Sequence, residues 1–138
     1  MSNYKRPLGG ISALYMCAAS SREAALVGPP EELKIETLEE GSSYTETIES
    51  VGTSQRVTHT LVVVTDIDTQ LNMVNNQGLV AWIELNAGLK IKVGYSPLAQ
   101  FDRPLRLISC KNILGESRAS RPCKQWLFSS VDGVSALN

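Results

Sequence analysis

The pattern of apolar and polar positions along the chain changes its period at Asp66. Before it, residues 55–65 (QRVTHTLVVVT) are rich in β-branched residues, and strand spacing places Val57, His59, Leu61 and Val63 on one face, which is typical of a strand. After it, apolar residues recur at the spacing of one helix face, and aspartate is a residue type that caps the first turn of a helix. The pattern predicts a strand up to residue 65 and a single helix near residues 66–77.

Short strand-like stretches make up most of the remaining sequence. Residues 79–85 and 89–95 are two predicted strands that flank Asn86-Ala87-Gly88, a three-residue hairpin signal. About seven short strands with one helix predict a mainly β fold, an antiparallel two-sheet sandwich or barrel with the helix on its flank.

The first ten residues differ from this pattern. Pro7 and the pair Gly9-Gly10 oppose regular structure, so residues 1–10 are predicted to be a flexible N-terminal arm. The remaining residues, 11–138, are predicted to form a single β-rich domain, and a chain of 138 residues is long enough to bury a core.

The composition excludes several classes of protein. An apolar content of 43% and a charged content of 20% argue against disorder. The chain has no apolar run of about 18 residues, so we expect no membrane span. Cys17, Cys110 and Cys123 are odd in number and not clustered, which favours a reducing, cytoplasmic compartment. Because Cys110 and Cys123 fall on neighbouring predicted strands, we expect a buried thiol pair there rather than a disulfide.

Two parts of the chain carry opposite charge. Residues 31–50, the acidic segment, hold seven Glu and one Lys, a local charge of −6, and residues 102–124, the basic segment, have a local charge of +4. Because complementary potentials steer and register an interface, this distribution predicts docking against a second copy or a designated partner. The basic segment has few aromatic residues, so we expect no specific nucleic-acid binding. The predicted interface residues are Glu36, Glu39, Glu46, Arg103, Arg106 and Arg121.

Catalytic patterns are incomplete in this sequence. Residues 61–69 (LVVVTDIDT) resemble the first motif of the haloacid-dehalogenase-type phosphatases, which implies a nucleophilic Asp66 and an acid/base Asp68. The Lys and the later acidic pair that this family needs are missing, since the only later aspartates are Asp102 and Asp132 and the downstream sequence is typical of β-hairpins. We therefore interpret Asp66 as a strand end and helix cap, and we predict no enzymatic activity, cofactor or metal.

His59 is the only histidine and lies on the apolar face of its predicted strand with Val57, Leu61 and Val63. One histidine does not build a triad or a zinc site, so we expect a core or interface role.

The two tryptophans lie in predicted strands. Core packing is the first interpretation of Trp82 and Trp126. In the alternative function, a β-barrel that binds a small ligand or peptide, they line a cavity together with Tyr95.

Four stretches resemble small proteins encoded in prophage structural operons of gut bacteria, of the tail-tube or head–tail joining type. The resemblance implies two packed antiparallel sheets, a flanking helix, mobile arms and assembly into rings with other copies or other virion proteins. This chain is shorter than many tube proteins, which have an extra insertion loop. The stretches are RPLGGISALYM (6–16), GLVAWIELNAGLKIKVGYS (78–96), RPLRL (103–107) and WLFSS (126–130).

Overall fold

The computed structural model describes residues 3–19, 22–38, 41–71, 78–94, 104–114 and 122–132. In these ranges the protein is mainly β, as predicted, and every pair of neighbouring strands is antiparallel. The helical elements described are two short 3-10 turns, Arg22–Ala25 and Glu31–Leu33, and neither can cross a membrane. The strands are β1 (Asn3–Ala18), β2 (Lys34–Ile35), β3 (Ser43–Val51), β4 (Ser54–Asp66), β5 (Leu79–Leu85), β6 (Lys90–Val93), β7 (Arg106–Ile113) and β8 (Cys123–Asp132).

The strands form one sheet that is not closed, in the order β6-β5-β1-β3-β4-β8-β7, with β2 attached to β1. Strand β1 belongs to both halves of this sheet. Its first part pairs with β3, and from Ile11 onward it pairs with β5. A second link between the halves is the bridge of Leu79 to Leu105, whose two backbone hydrogen bonds measure 2.8 and 2.9 Å.

The predicted N-terminal arm is part of this sheet. Residues 3–10 belong to β1, and Pro7 is the register partner of Thr45 in β3. Proline cannot donate a ladder hydrogen bond, and it is tolerated where a strand has one open edge. In the described part of the chain, residues 3–7 pair only with β3, so the expectation that proline prevents a strand here is wrong.

The predicted helix is not formed over its first half. Asp66 is the last residue of β4, residues 67–71 are turn and coil, and residues 72–77 lie outside the described ranges. The ladder accounts for the start of this segment, because β4 pairs with β8 as far as Asp66, opposite Cys123. Residues 67–71 continue as turn and coil, and the Thr69 N–H donates to the Asp66 carbonyl oxygen across 3.1 Å.

The main core lies between the two halves of the sheet. Residues from both halves are buried in it together, including Leu14, Ile83, Leu61 and Phe128. A second cluster covers the outer face of β1 and β5, where Tyr15 and Trp82 are among the buried side chains. Strand β5 is therefore buried on both faces, which accounts for its nearly unbroken apolar sequence, LVAWIEL.

Candidate functional site

The acidic segment begins on the surface. Glu31 and Glu32 are exposed in the second 3-10 turn, and Glu36 is exposed directly after β2. Lys34, between them, is also exposed. We call these four residues the acidic surface. The predicted interface residue Glu39 lies outside the described residues.

The basic segment contributes β7, which is the last strand in the order of the sheet. Arg106 is exposed at the start of β7, and Lys111 is exposed near its end. The predicted interface residues Arg103 and Arg121 lie outside the described residues. Of the predicted interface residues, the structure therefore places Glu36 and Arg106 on the surface.

Strand β7 has an uncovered edge in the described part of the molecule. It pairs with β8 on one side, and no described strand pairs with it along the other. Most of its side chains are exposed on both faces, and only Leu107 packs against the core. Ile108 is 61% exposed, and Leu114, just beyond the strand, is 75% exposed. A long exposed edge strand that carries apolar side chains is a template for pairing with another chain.

Glu46 was predicted to be an interface residue, and the structure shows that this prediction is wrong. Its side chain is fully buried, so it contributes no charge to the surface of the protein. Glu46 is the register partner of His59, and the two residues lie on the interior face of β3 and β4 with Tyr44. A carboxylate is rarely buried in this way without polar partners.

Tyr44 and His59 both contact Glu46. The Tyr44 hydroxyl donates to Glu46 Oε1 across 3.2 Å, and its oxygen lies 2.6 Å from His59 Nδ1. Because the phenol has one proton, the short contact then requires His59 Nδ1 to carry the second one. The Tyr44 and His59 rings are stacked, with centroids 6.2 Å apart. Burial raises the pKa of Tyr44 well above its ordinary value, and the nearby Glu46 carboxylate raises it further, so this hydroxyl is a permanent donor.

Glu46, His59 and Ser130 form a row of register partners across β3, β4 and β8. Ser130 is the β8 register partner of His59, and its Oγ is buried without a hydrogen-bond partner among the described residues. Serine, histidine and glutamate in one row resemble the residue types of a hydrolase triad. The row is enclosed, however, because Glu46 is fully buried and His59 is 3% exposed. A nucleophile needs access to substrate, so this arrangement is suited to fixing the strand register and not to chemistry.

Asp66 and Asp68 do not have the surroundings that the phosphatase motif requires. That motif needs a parallel sheet, whereas β4 lies between two antiparallel neighbours, β3 and β8. The Asp66 carboxylate accepts a hydrogen bond of 2.9 Å from the backbone N–H of Ile67. This contact is typical of a residue that closes a turn.

The two cysteines on β7 and β8 do not form a site, and Trp126 is a core residue. Cys110 is exposed and Cys123 is half-buried, and both are free thiols, so the expected buried thiol pair is wrong. Their register partners in the β7–β8 ladder differ, and thus they do not lie opposite each other. Trp126 packs in the main core and donates through Nε1 to Thr65 Oγ1 across 3.1 Å.

The other tryptophan, Trp82, lies at a groove on the outer face of the β5–β6 hairpin. The groove has a volume of about 270 Å³. One wall is formed by residues 27–29, and the other by the hairpin, including Glu84, Lys90 and Lys92. Sequence reasoning placed Trp82 in a possible cavity but missed the lysines, because their position beside residues 27–29 depends on the tertiary fold. Tyr95, the third predicted cavity residue, lies outside the described residues.

Among the described residues, no group of three or more His, Cys, Asp or Glu side chains is placed to hold a metal ion. The chain matches no family model, and comparisons with curated proteins and with solved structures find no similar protein.

Proposed function

We propose that this protein is a non-enzymatic structural protein of the phage virion type, with a tail-tube or head–tail joining role, whose copies associate through β7 and the acidic surface. The single observation that carries the proposal is the edge of β7 along which no other described strand pairs. This edge is basic, whereas the acidic surface has the opposite charge. The virion role itself rests on the sequence resemblance, which includes residues of β5, β6 and β8.

The charges of the two surfaces match in number. The acidic surface has three carboxylates and one ammonium group, a net charge of −2, and β7 has Arg106 and Lys111, a net charge of +2. An exposed ion pair contributes only about 0.2–1 kcal/mol, so the charges set the register and rate of association more than its strength. The exposed Ile108 and the open backbone groups of β7 supply the remaining contacts.

The two surfaces are different parts of the chain, so the contact is heterologous. A heterologous contact generates a closed ring when its rotation closes and a filament when it does not. Both products suit a protein that lines or joins parts of a virion. In this proposal the β-sheet acts as a sandwich-type scaffold, and the protein is found in the cytoplasm before it enters the particle.

Charge reversal on β7 tests this proposal. Sedimentation velocity compares the unmodified protein with Arg106→Glu/Lys111→Glu, and we expect the double variant to sediment as a smaller species. Adding Glu32→Lys/Glu36→Lys in the same chain should partly restore the larger species, because opposite charges then face each other again.

The matched control is Arg22→Glu/Arg56→Glu, which changes the net charge equally at two exposed positions outside both surfaces. This control should sediment like the unmodified protein. A protein that is monomeric at every concentration, or one that assembles equally well in all four forms, would refute the proposed interface.

A further inference from the structure

Apolar side chains project into solvent from the loop that precedes the acidic surface. Residues 26–29 are all exposed, Val27 to 96% and Leu26 to 45%, and we call them the apolar loop. The loop is held in place, because Ala24 just before it is buried and the Leu26 carbonyl oxygen accepts a hydrogen bond of 2.8 Å from Lys92 Nζ. Neighbouring apolar side chains that a fixed loop holds in water are typical of an interaction site.

The apolar loop and the acidic surface lie on the same side of the molecule. The 3-10 turns before and after the loop both pack on the outer face of β1 and β5, through Ala24 from the first turn and Leu33 from the second. In the second turn, Glu31 also accepts a hydrogen bond of 3.4 Å from the Tyr15 hydroxyl of β1. The acidic surface therefore continues directly from the apolar loop, and a partner can contact both at once.

Strand β7 combines an exposed apolar side chain with the opposite charge. The register between β7 and β8 shifts between Leu107 and Ser109, so Ile108 has no partner in the β7–β8 ladder. A bulge of this kind leaves the extra residue unpaired and changes the direction of its side chain. Ile108 is 61% exposed, and it lies between Arg106 and Lys111 in the strand. An apolar side chain is thus flanked by two cations on an edge strand.

From these two surfaces, we propose that the apolar loop packs against Ile108 of a second copy of this chain. The acidic surface then faces Arg106 and Lys111, and the contact has the apolar centre and charged rim of a specific protein interface. This contact rests on the association proposed above, and it identifies the apolar counterpart of β7 in the same interface. It uses the outward side of the apolar loop and leaves β6 uncovered.

Sedimentation equilibrium of single and double variants tests the contact. Val27→Ser and Ile108→Ser each replace an exposed side chain, so neither should change the melting temperature. We expect each to raise the dissociation constant of self-association about tenfold, because each removes one apolar side chain from the interface. The double variant should associate almost as well as either single variant, since both changes remove the same contact.

Leu89→Ser is the matched control for these variants. Leu89 is another exposed apolar side chain, 47% exposed, and it lies beside β6 and outside the proposed contact. This variant should have the dissociation constant of the unmodified protein.

A disulfide between copies locates the contact directly. The exposed native thiol of Cys110 is first removed by Cys110→Ser in every sample. Protein with Val27→Cys is then mixed with protein with Ile108→Cys and oxidised with copper phenanthroline. We expect a covalent dimer in which peptide mass spectrometry finds positions 27 and 108 joined. Arg56→Cys, at an exposed position in β4, replaces Val27→Cys in the control mixture and should give no joined pair with position 108.

The outcomes separate this contact from the association on which it rests. Self-association that responds to charge reversal on β7 but not to Val27→Ser would refute the apolar contact alone. Fully additive effects of Val27→Ser and Ile108→Ser, or the absence of a disulfide between positions 27 and 108, would refute it as well. A protein that is monomeric at every concentration would refute both the contact and the proposed interface.

Discussion

The Tyr44 hydroxyl oxygen lies 2.6 Å from His59 Nδ1, in the interior of the sheet and on adjacent strands. Glu46 Oε1 accepts from the same hydroxyl and lies 3.8 Å from the same ring nitrogen. Each of these polar groups is buried, so the contacts among them take the place of hydrogen bonds to water. A shift of β3 against β4 by one residue would separate His59 from both Tyr44 and Glu46, and the cluster therefore fixes the register of this pair of strands.

Removing the Tyr44 hydroxyl should destabilise the protein more than removing an ordinary tyrosine hydroxyl. Tyr44→Phe removes the buried hydroxyl that contacts both Glu46 and His59, and we expect a loss of about 1–3 kcal/mol in the free energy of unfolding. Urea denaturation measures this. Tyr15→Phe is the matched control, because the Tyr15 hydroxyl bonds to the exposed Glu31 across 3.4 Å, and its loss should cost at most about 1 kcal/mol. Equal losses in both variants would contradict a stabilising role for the cluster.

Alkaline pH should destabilise the protein through Tyr44. The pKa of Tyr44 is raised in the folded state above its ordinary value of 10.0, mainly by burial. A raised pKa contributes stability that is complete below the unfolded pKa and is lost as the pH rises above it. Above about pH 10, the free energy of unfolding should therefore fall by up to about 1.4 kcal/mol per pH unit from this group.

The difference between the unmodified protein and Tyr44→Phe isolates this contribution. We expect the gap in stability between them to be constant below about pH 9 and to narrow above pH 10, since phenylalanine does not titrate. Urea denaturation across this pH range measures the gap. Parallel curves up to pH 11 would show that Tyr44 ionises as easily in the folded protein as in the unfolded chain.

Gly94 should be intolerant of a side chain. Its φ is +99°, and a Cβ atom there would collide with the backbone oxygen of Leu79, next to the Leu79–Leu105 bridge. Gly88 has a similar φ of +93° but open space around it. Gly88→Ala should therefore cost only about 1–2 kcal/mol of backbone strain, and Gly94→Ala about 1–3 kcal/mol more, because the backbone must also move. Thermal unfolding of the two variants compares them, and equal costs would mean that the close approach at Gly94 is unimportant.

The elements that the sequence predicted correctly depend on local signals. Alternation placed His59 on the same face as Val57 and Leu61, and all three are buried. The hairpin signal at residues 86–88 is confirmed, because β5 and β6 flank it as an antiparallel pair.

The elements that the sequence missed depend on contacts between distant residues. Nothing near Asp66 in the sequence shows that Cys123 will extend the ladder to it. Glu46 lies between Tyr44 and Ile48 at strand spacing, so alternation places it on their face, but its charge favours the surface, and only the register with His59 shows a buried polar partner for it. The groove likewise depends on residues 27–29 lying against β6. Neither register nor long-range packing can be derived from the periodicity of one segment.

Hydrogen exchange measured at low and high protein concentration is the most direct test of the proposed assembly. If copies associate through β7 and the acidic surface, then backbone amides in residues 106–113 and 31–36 should exchange more slowly at high concentration. Amides in β6, which is at the other edge of the sheet, should be unaffected and serve as the internal control. Protection that is confined to other segments, or exchange in 106–113 that is independent of concentration, would contradict the account.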